Sequence, residues 1–102
     1  MSDGVFAALA NPTRRAVLTL LQRNGPMAVG DIAAALDVVG PTLSGHLKVL
    51  RAADLVETQR QGTTIRYVTR LSVLESAIAD LMANMRVGSR AEPEEGKTRA
   101  DD

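Results

Sequence analysis

His46 is the single histidine of this 102-residue chain, and cysteine is absent. Those two facts remove most of the chemistry a small protein can do. Disulfides, thiolate metal sites and thiol-based redox sensing all need a cysteine. A lone imidazole with no second nitrogen or sulfur donor near it does not assemble a metal site within one chain. Ser44 and His46 stand two positions apart in a helix-forming stretch, where side chains point away from one another, so they make no nucleophile–base pair. No glycine-rich phosphate loop is present, and no pair of carboxylates comes with a plausible base. Neither an enzyme nor a cofactor is expected.

Charge is what remains. The formal net charge is zero, but it is unevenly laid out. Residues 38–70 carry Lys48, Arg51, Arg60, Arg66 and Arg70 against Asp54 and Glu57, a net +3, whereas residues 89–102 carry a net −2. A basic middle is the electrostatic footprint of a nucleic-acid binder. It is equally the pattern of an ordinary solvated surface, and charge alone does not choose.

The elements that would position these groups can be read from spacing. Residues 3–10 form a short helix with Val5, Phe6 and Leu9 on one side. Asn11-Pro12 starts a second: asparagine is a good N-cap, and proline is tolerated at the first helical position. Val17, Leu18, Leu20 and Leu21 follow at helical spacing until Arg23-Asn24-Gly25-Pro26 ends the helix. A third helix runs from about Val29 to Leu36, with Asp37 expected in a left-handed turn. A fourth covers 41–53 with Leu43, Leu47 and Leu50 as its inward stripe. Two such helices joined by a short turn make a helix-turn-helix. The period then changes to two across Leu55–Arg60 and Thr64–Thr69, with Gln61-Gly62-Thr63 between them, which reads as a hairpin spanning 55–69. Ser72 and Glu75 form a capping box opening a fifth helix. Its stripe of Leu71, Leu74, Ile78, Leu81 and Met85, flanked by Val73, Ala77 and Met82, is too broad for one small core.

The expected fold is therefore mainly α with a two-stranded β-hairpin, a winged helix-turn-helix of about five helices. Residues 1–87 make one domain, and the acidic, apolar-poor 88–102 is expected to be disordered. With only Phe6 and Tyr67 as aromatics, so thin a core favours a homodimer. No charge-free apolar run approaches roughly 18 residues and no basic-then-apolar leader is found, so no membrane contact is expected and a cytoplasmic location is.

In a winged helix the second helix of the pair fits the DNA major groove, about 12 Å wide, and the hairpin lies along the backbone or reaches the adjacent minor groove. With the leucines inward, the fourth helix turns Pro41, Ser44, Gly45 and Lys48 outward, with Thr42 and Arg51 at the flanks. Lys48 and Arg51 suit phosphates; Thr42 and Ser44 suit base edges or phosphates. His46 sits at the stripe's edge. Arg60, Thr63 and Arg66 form the wing, and Arg14 and Arg15 fit either a phosphate or a helix-surface role. Four basic groups per protomer predict a slope of log affinity against log salt near roughly −7 for a dimer on double-stranded DNA.

The chain resembles the ArsR-type winged-helix repressors. Phe6 to Arg15 (FAALANPTRR), Asp31 to Leu36 (DIAAAL), Pro41 to Arg51 (PTLSGHLKVLR) and Leu55-Val56 carry the likeness, which spans about residues 5–86. The resemblance implies a homodimer paired through its first and last helices, here Phe6, Leu9, Leu74, Ile78, Leu81, Met82 and Met85, bound to an inverted-repeat operator, and, since His46 matches the family's S-x-H-L histidine, a packed or phosphate-contacting ring there. Ala28 and Gly30 stand where metal-sensing relatives carry a Cys-x-Cys pair, and the last helix has no histidine. That leaves a small-molecule effector, a protein effector, or regulation by abundance. Val39, Gly40 and Gly45 depart from the family's capped, polar recognition helix; a missing N-cap and a mid-helix glycine each cost about 1 kcal/mol. Such a helix makes few direct base contacts and leans on DNA shape.

Overall fold

A computed structural model describes the backbone of residues 2–90 and the side chains of residues 4–86. Helix α1 spans Ser2–Leu9 and α2 spans Pro12–Asn24; a two-residue strand, β1 (Met27–Ala28), leads into α3 (Val29–Leu36) and α4 (Gly40–Ala52). The hairpin β2 (Val56–Gln61) and β3 (Thr64–Thr69) follows, and α5 runs Leu71–Arg90. The chain is mainly α with a small antiparallel sheet of order β1-β3-β2. The hairpin was legible in the sequence. β1 was not, because two residues carry no period; Met27 pairs with Tyr67 and Ala28 with Arg66.

Local chemistry sets the helix ends. Asn11 caps α2 with its side-chain oxygen, accepting from the N–H groups of Thr13 at 2.8 Å and Arg14 at 3.1 Å, as the Asn-Pro pair predicts. Gly25, at φ 78°, closes the same helix with its N–H on the Leu21 carbonyl at 2.8 Å. Both helices of the helix-turn-helix end in the same way. Asp37 and Asp54 adopt φ 54° and 61°. Val38 N–H then reaches the Ala33 carbonyl at 3.1 Å, and Leu55 N–H the Leu50 carbonyl at 3.0 Å. These are Schellman turns with aspartate at the position glycine usually holds.

The core joins Val5 and Ala8 of α1, Val17 and Leu21 of α2, Ile32 of α3, Leu43, Leu47 and Leu50 of α4, and Leu55, Val56 and Ala77. On α1 Val5 and Ala8 are buried, and Phe6 and Leu9, on the apolar side that spacing gives, are half-buried at the core's margin. One expectation shifts. The capping box at Ser72 is not formed: α5 already begins at Leu71, and Val73 N–H bonds the Arg70 carbonyl at 3.0 Å. Arg70, directly after the strand, thus starts the helix two residues earlier than the serine would. α5 continues to Arg90, three residues past the boundary drawn from composition. The rest of the expected acidic tail lies outside the described residues.

Candidate nucleic-acid interface

The rotation of α4 is fixed by burial. Leu43, Leu47 and Leu50 are exposed by 2% or less, which turns Pro41, Thr42, Ser44, Gly45, Lys48 and Arg51 to solvent. Val39, the N-cap, makes no side-chain cap hydrogen bond, and Pro41 sits in the first turn. A proline there supplies a helical φ where its missing N–H has no intrahelical role. A Cβ added at Gly45 would meet nothing within 4 Å. The outer face of α4 is therefore low and open around Gly45, with hydroxyls before it and two cations after it.

His46 is half-buried, and its Nδ1 lies 3.3 Å from Arg14 Nη1. A guanidinium only donates, so Nδ1 accepts and the ring hydrogen sits on Nε2. Arg14 also donates from Nε to the Ala8 carbonyl at 2.7 Å and from Nη2 to the Ala7 carbonyl at 3.3 Å. Arg15 donates from Nη1 to the Leu9 carbonyl at 2.6 Å. The last carbonyls of a helix lack intrahelical partners, and these arginines supply them for α1. Of the two roles the sequence left open, the structure shows this capping contact. It links α1 through Arg14 to His46 on α4, a connection across 32 residues that no local pattern displays.

The hairpin turns at Gly62-Thr63, between the paired Gln61 and Thr64, one residue tighter than expected. Gly62 has φ 63° and Thr63 does not have positive φ, the pattern of a type II′ turn with glycine first. Arg60 pairs with Ile65 and Arg66 with Gln59. Opposed residues share a face and neighbours alternate. Arg60 therefore lies on the face of Thr58, Ile65 and Tyr67, and Arg66 on the other. Tyr67, half-buried, lines a hollow with Ser44, Lys48, Arg51 and Ala52, so the Arg60 face adjoins the outer face of α4. Both arginines and Thr63 are exposed.

One ion pair is formed among the described residues: Arg70 Nη1 to Glu57 Oε1 at 3.7 Å. Lys48, Arg51, Arg60 and Arg66 have no such partner there. Among the described residues, no group of three or more His, Cys, Asp or Glu side chains could hold a metal ion, and no helix is long and apolar enough to cross a membrane. Along α5 the apolar stripe splits. Ala77 is buried and Leu74 half-buried, while Ile78, Leu81, Met82 and Met85 are 43–61% exposed.

A family model described as a helix-turn-helix domain matches residues 9–59. The transcriptional repressor SdpR of Bacillus subtilis is 38% identical over 76 residues, covering 74% of this chain and 83% of its own length. The solved structure of an ArsR-like transcriptional regulator from Rhodococcus sp. RHA1 superposes with a TM-score of 0.83 at 31% identity, covering 88% of this chain and 84% of that one. The homodimeric winged helix-turn-helix DNA-binding domain of Mb0332 from Mycobacterium bovis, solved by NMR, gives 0.66 at 32% identity, covering 83% and 80%.

Proposed function

The chain belongs to the ArsR family of winged helix-turn-helix transcriptional regulators, DNA-binding proteins rather than enzymes, and we propose that it acts as a homodimeric repressor. In this reading α4 enters the major groove of an inverted-repeat operator, and the hairpin lies beside it as the wing. The observation that carries it is the exposed Ser44–Lys48–Arg51 face, backed by three buried leucines and continuous with the Arg60 side of the hairpin. Lys48, Arg51 and Arg60 contact phosphates, while Thr42, Ser44 and the bare backbone at Gly45 approach the bases. Pro41 sets the first turn that delivers them. His46, gripped by Arg14, holds the register of α4 against α1, with its Nε2–H turned to a phosphate. Thr63 contacts the backbone from the tip of the wing.

The dimer forms through α1 and α5. Phe6, Leu9 and Leu74 lie at its margin, and Ile78, Leu81, Met82 and Met85 form its centre. The exposure of those four side chains in a single protomer supports this, as does the homodimeric state of the Mycobacterium bovis relative. Release from DNA does not run through a cysteine metal site, because the chain has no cysteine.

Fluorescence anisotropy against the protein's own upstream DNA and a scrambled duplex, at several salt concentrations, tests the proposal. Three phosphate-facing cations per protomer, with Arg66 on the other sheet face, give a slope of log affinity against log salt near about −5. A slope shallower than about −3 would falsify this placement. Lys48→Glu is expected to abolish binding while leaving the sedimentation behaviour unchanged; normal operator binding by that variant overturns the assignment of the α4 face.

A further inference from the structure

A hollow lies away from the DNA-facing surface, where α2, the base of the hairpin and the start of α5 meet. Its volume is about 260 Å³, and its exposed lining is almost wholly apolar. Leu18, Leu55, Leu71 and Leu74 form the walls. Leu55 is 1% exposed, whereas Leu71 is 42% exposed, so the floor is packed and one wall stands open. An apolar cavity of about 150 Å³ is enough to take benzene; this one has room for a second ring or a medium-length alkyl chain.

The charged residues that line the hollow are of one sign. Arg23, from the last turn of α2, and Arg70, between β3 and α5, both line it. Arg23 has no carboxylate partner among the described residues. Arg70 is held only by Glu57, at 3.7 Å, with the two side chains 44% and 50% exposed, a contact beyond hydrogen-bond distance and easily exchanged. Thr69 Oγ1 donates to Gln22 Oε1 at 2.8 Å, which leaves the Gln22 amide nitrogen as a further donor at the same edge. Greasy walls, with two arginines and Gln22 among the lining residues and no acidic one, suit an apolar body whose anionic head sits at the rim, within the reach of the arginine side chains.

We propose that this hollow binds a small apolar monocarboxylate, a medium-chain acyl or aromatic acid. Its hydrocarbon lies between the four leucines and its carboxylate faces Arg23 and Arg70. The walls come from elements with different duties. Leu55 follows the turn that ends α4, Thr69 and Arg70 end the hairpin, and Leu71 and Leu74 open the helix proposed to dimerise. An occupant therefore pushes on the wing and the dimer helix together, and its effect is to release DNA. That regulatory consequence rests on the repressor reading above; the binding itself does not.

Octanoate serves as the probe, with octan-1-ol lacking the charge and acetate lacking the tail. Titration of the isotope-labelled full chain, followed by amide shifts, is expected to show saturable binding of one octanoate per protomer. The affected amides are those around Leu18, Gln22, Thr69 and Leu71. Octanol is expected to bind at least about tenfold more weakly, since charge-assisted hydrogen bonds are lost, and acetate not measurably. Arg23→Gln with Arg70→Gln should bring octanoate down to the octanol level, and Thr19→Phe, which fills the mouth from an exposed position, should remove both. Equal affinities for octanoate and octanol overturn the proposal. So do shifts confined to Ile78–Met85, or ligand-free shifts at Leu71 that change with protein concentration, which would mean a second copy covers the hollow. In the anisotropy assay, saturating octanoate should weaken operator binding about tenfold; unchanged affinity with octanoate bound overturns the regulatory step. A chain that binds octanoate yet never binds operator DNA supports the site and removes the repressor reading instead.

Discussion

Asp37 and Asp54 hold backbone angles that aspartate adopts at a cost. A left-handed non-glycine residue is disfavoured by about 1–2 kcal/mol, part of which glycine returns through its larger unfolded-state entropy. Each aspartate also places negative charge beside the carbonyl end of a helix, where the dipole disfavours it. Asp54→Gly should therefore stabilise the protein by roughly 0.5–1 kcal/mol, read as a raised urea midpoint at fixed protein concentration. A lowered midpoint would show that the carboxylate itself holds the turn. Gly45 presents the opposite case, since its Cβ space is empty and its helix is continuous. Gly45→Ala should add up to about 1 kcal/mol and weaken operator binding if the bare backbone is what approaches the bases. Gain in stability with unchanged DNA affinity would remove Gly45 from the interface.

At the scale of elements, the hairpin and α4 work as a unit because the sheet's period decides which side chains share a surface. By register Arg60 shares the sheet face of Tyr67, which lines the hollow that α4 borders, and Arg66 belongs to the other face, although both arginines also line one hollow with Pro26, Gln59 and Gln61. Arg60→Gln is accordingly expected to make the salt slope of the dimer shallower by about 2, one phosphate per protomer, with Arg66→Gln leaving it nearly unchanged. If Arg66→Gln has the larger effect, the wing meets DNA with its other face. The helix-turn-helix is held to α1 by a different device. Arg14 and Arg15 cap α1 from α2, and Arg14 also reaches His46 on α4. The ALANPTRR segment is thus a joint between two helices and a capped helix start, with both arginines already engaged on backbone carbonyls.

The molecule as a whole is set by α5. Beyond Leu71 at its start, four large apolar side chains on that helix, Ile78, Leu81, Met82 and Met85, stand exposed in the protomer, and each is worth roughly 1.5–3 kcal/mol when buried. Ile78→Asp with Met85→Asp should convert the proposed dimer to a monomer in sedimentation while retaining helical circular dichroism, because neither side chain belongs to the protomer core. Operator affinity should fall with it, since one protomer reads only half of an inverted repeat. A double variant that still sediments with the parent's mass would place the dimer contact elsewhere.

Sequence alone determined the elements with strong periods or explicit end signals. These include the leucine stripe of α4, the Asn11-Pro12 start, the Gly25 stop and the alternation of the hairpin. Each is a local consequence of backbone geometry, so neighbours within a few residues suffice to read it. The composition likewise settled the absence of cysteine chemistry. Tertiary structure decided what depends on partners far along the chain. β1 exists only because Met27 and Ala28 pair with β3, and Arg14 caps α1 only because α2 folds back on it. Arg60 and Arg66 look alike in the sequence until pairing register puts them on opposite faces. The hollow beside Arg23 and Arg70 needs α2, the hairpin and α5 together, and no single segment carries a trace of it. Periodicity reports which side of an element is apolar; only packing reports what that side meets.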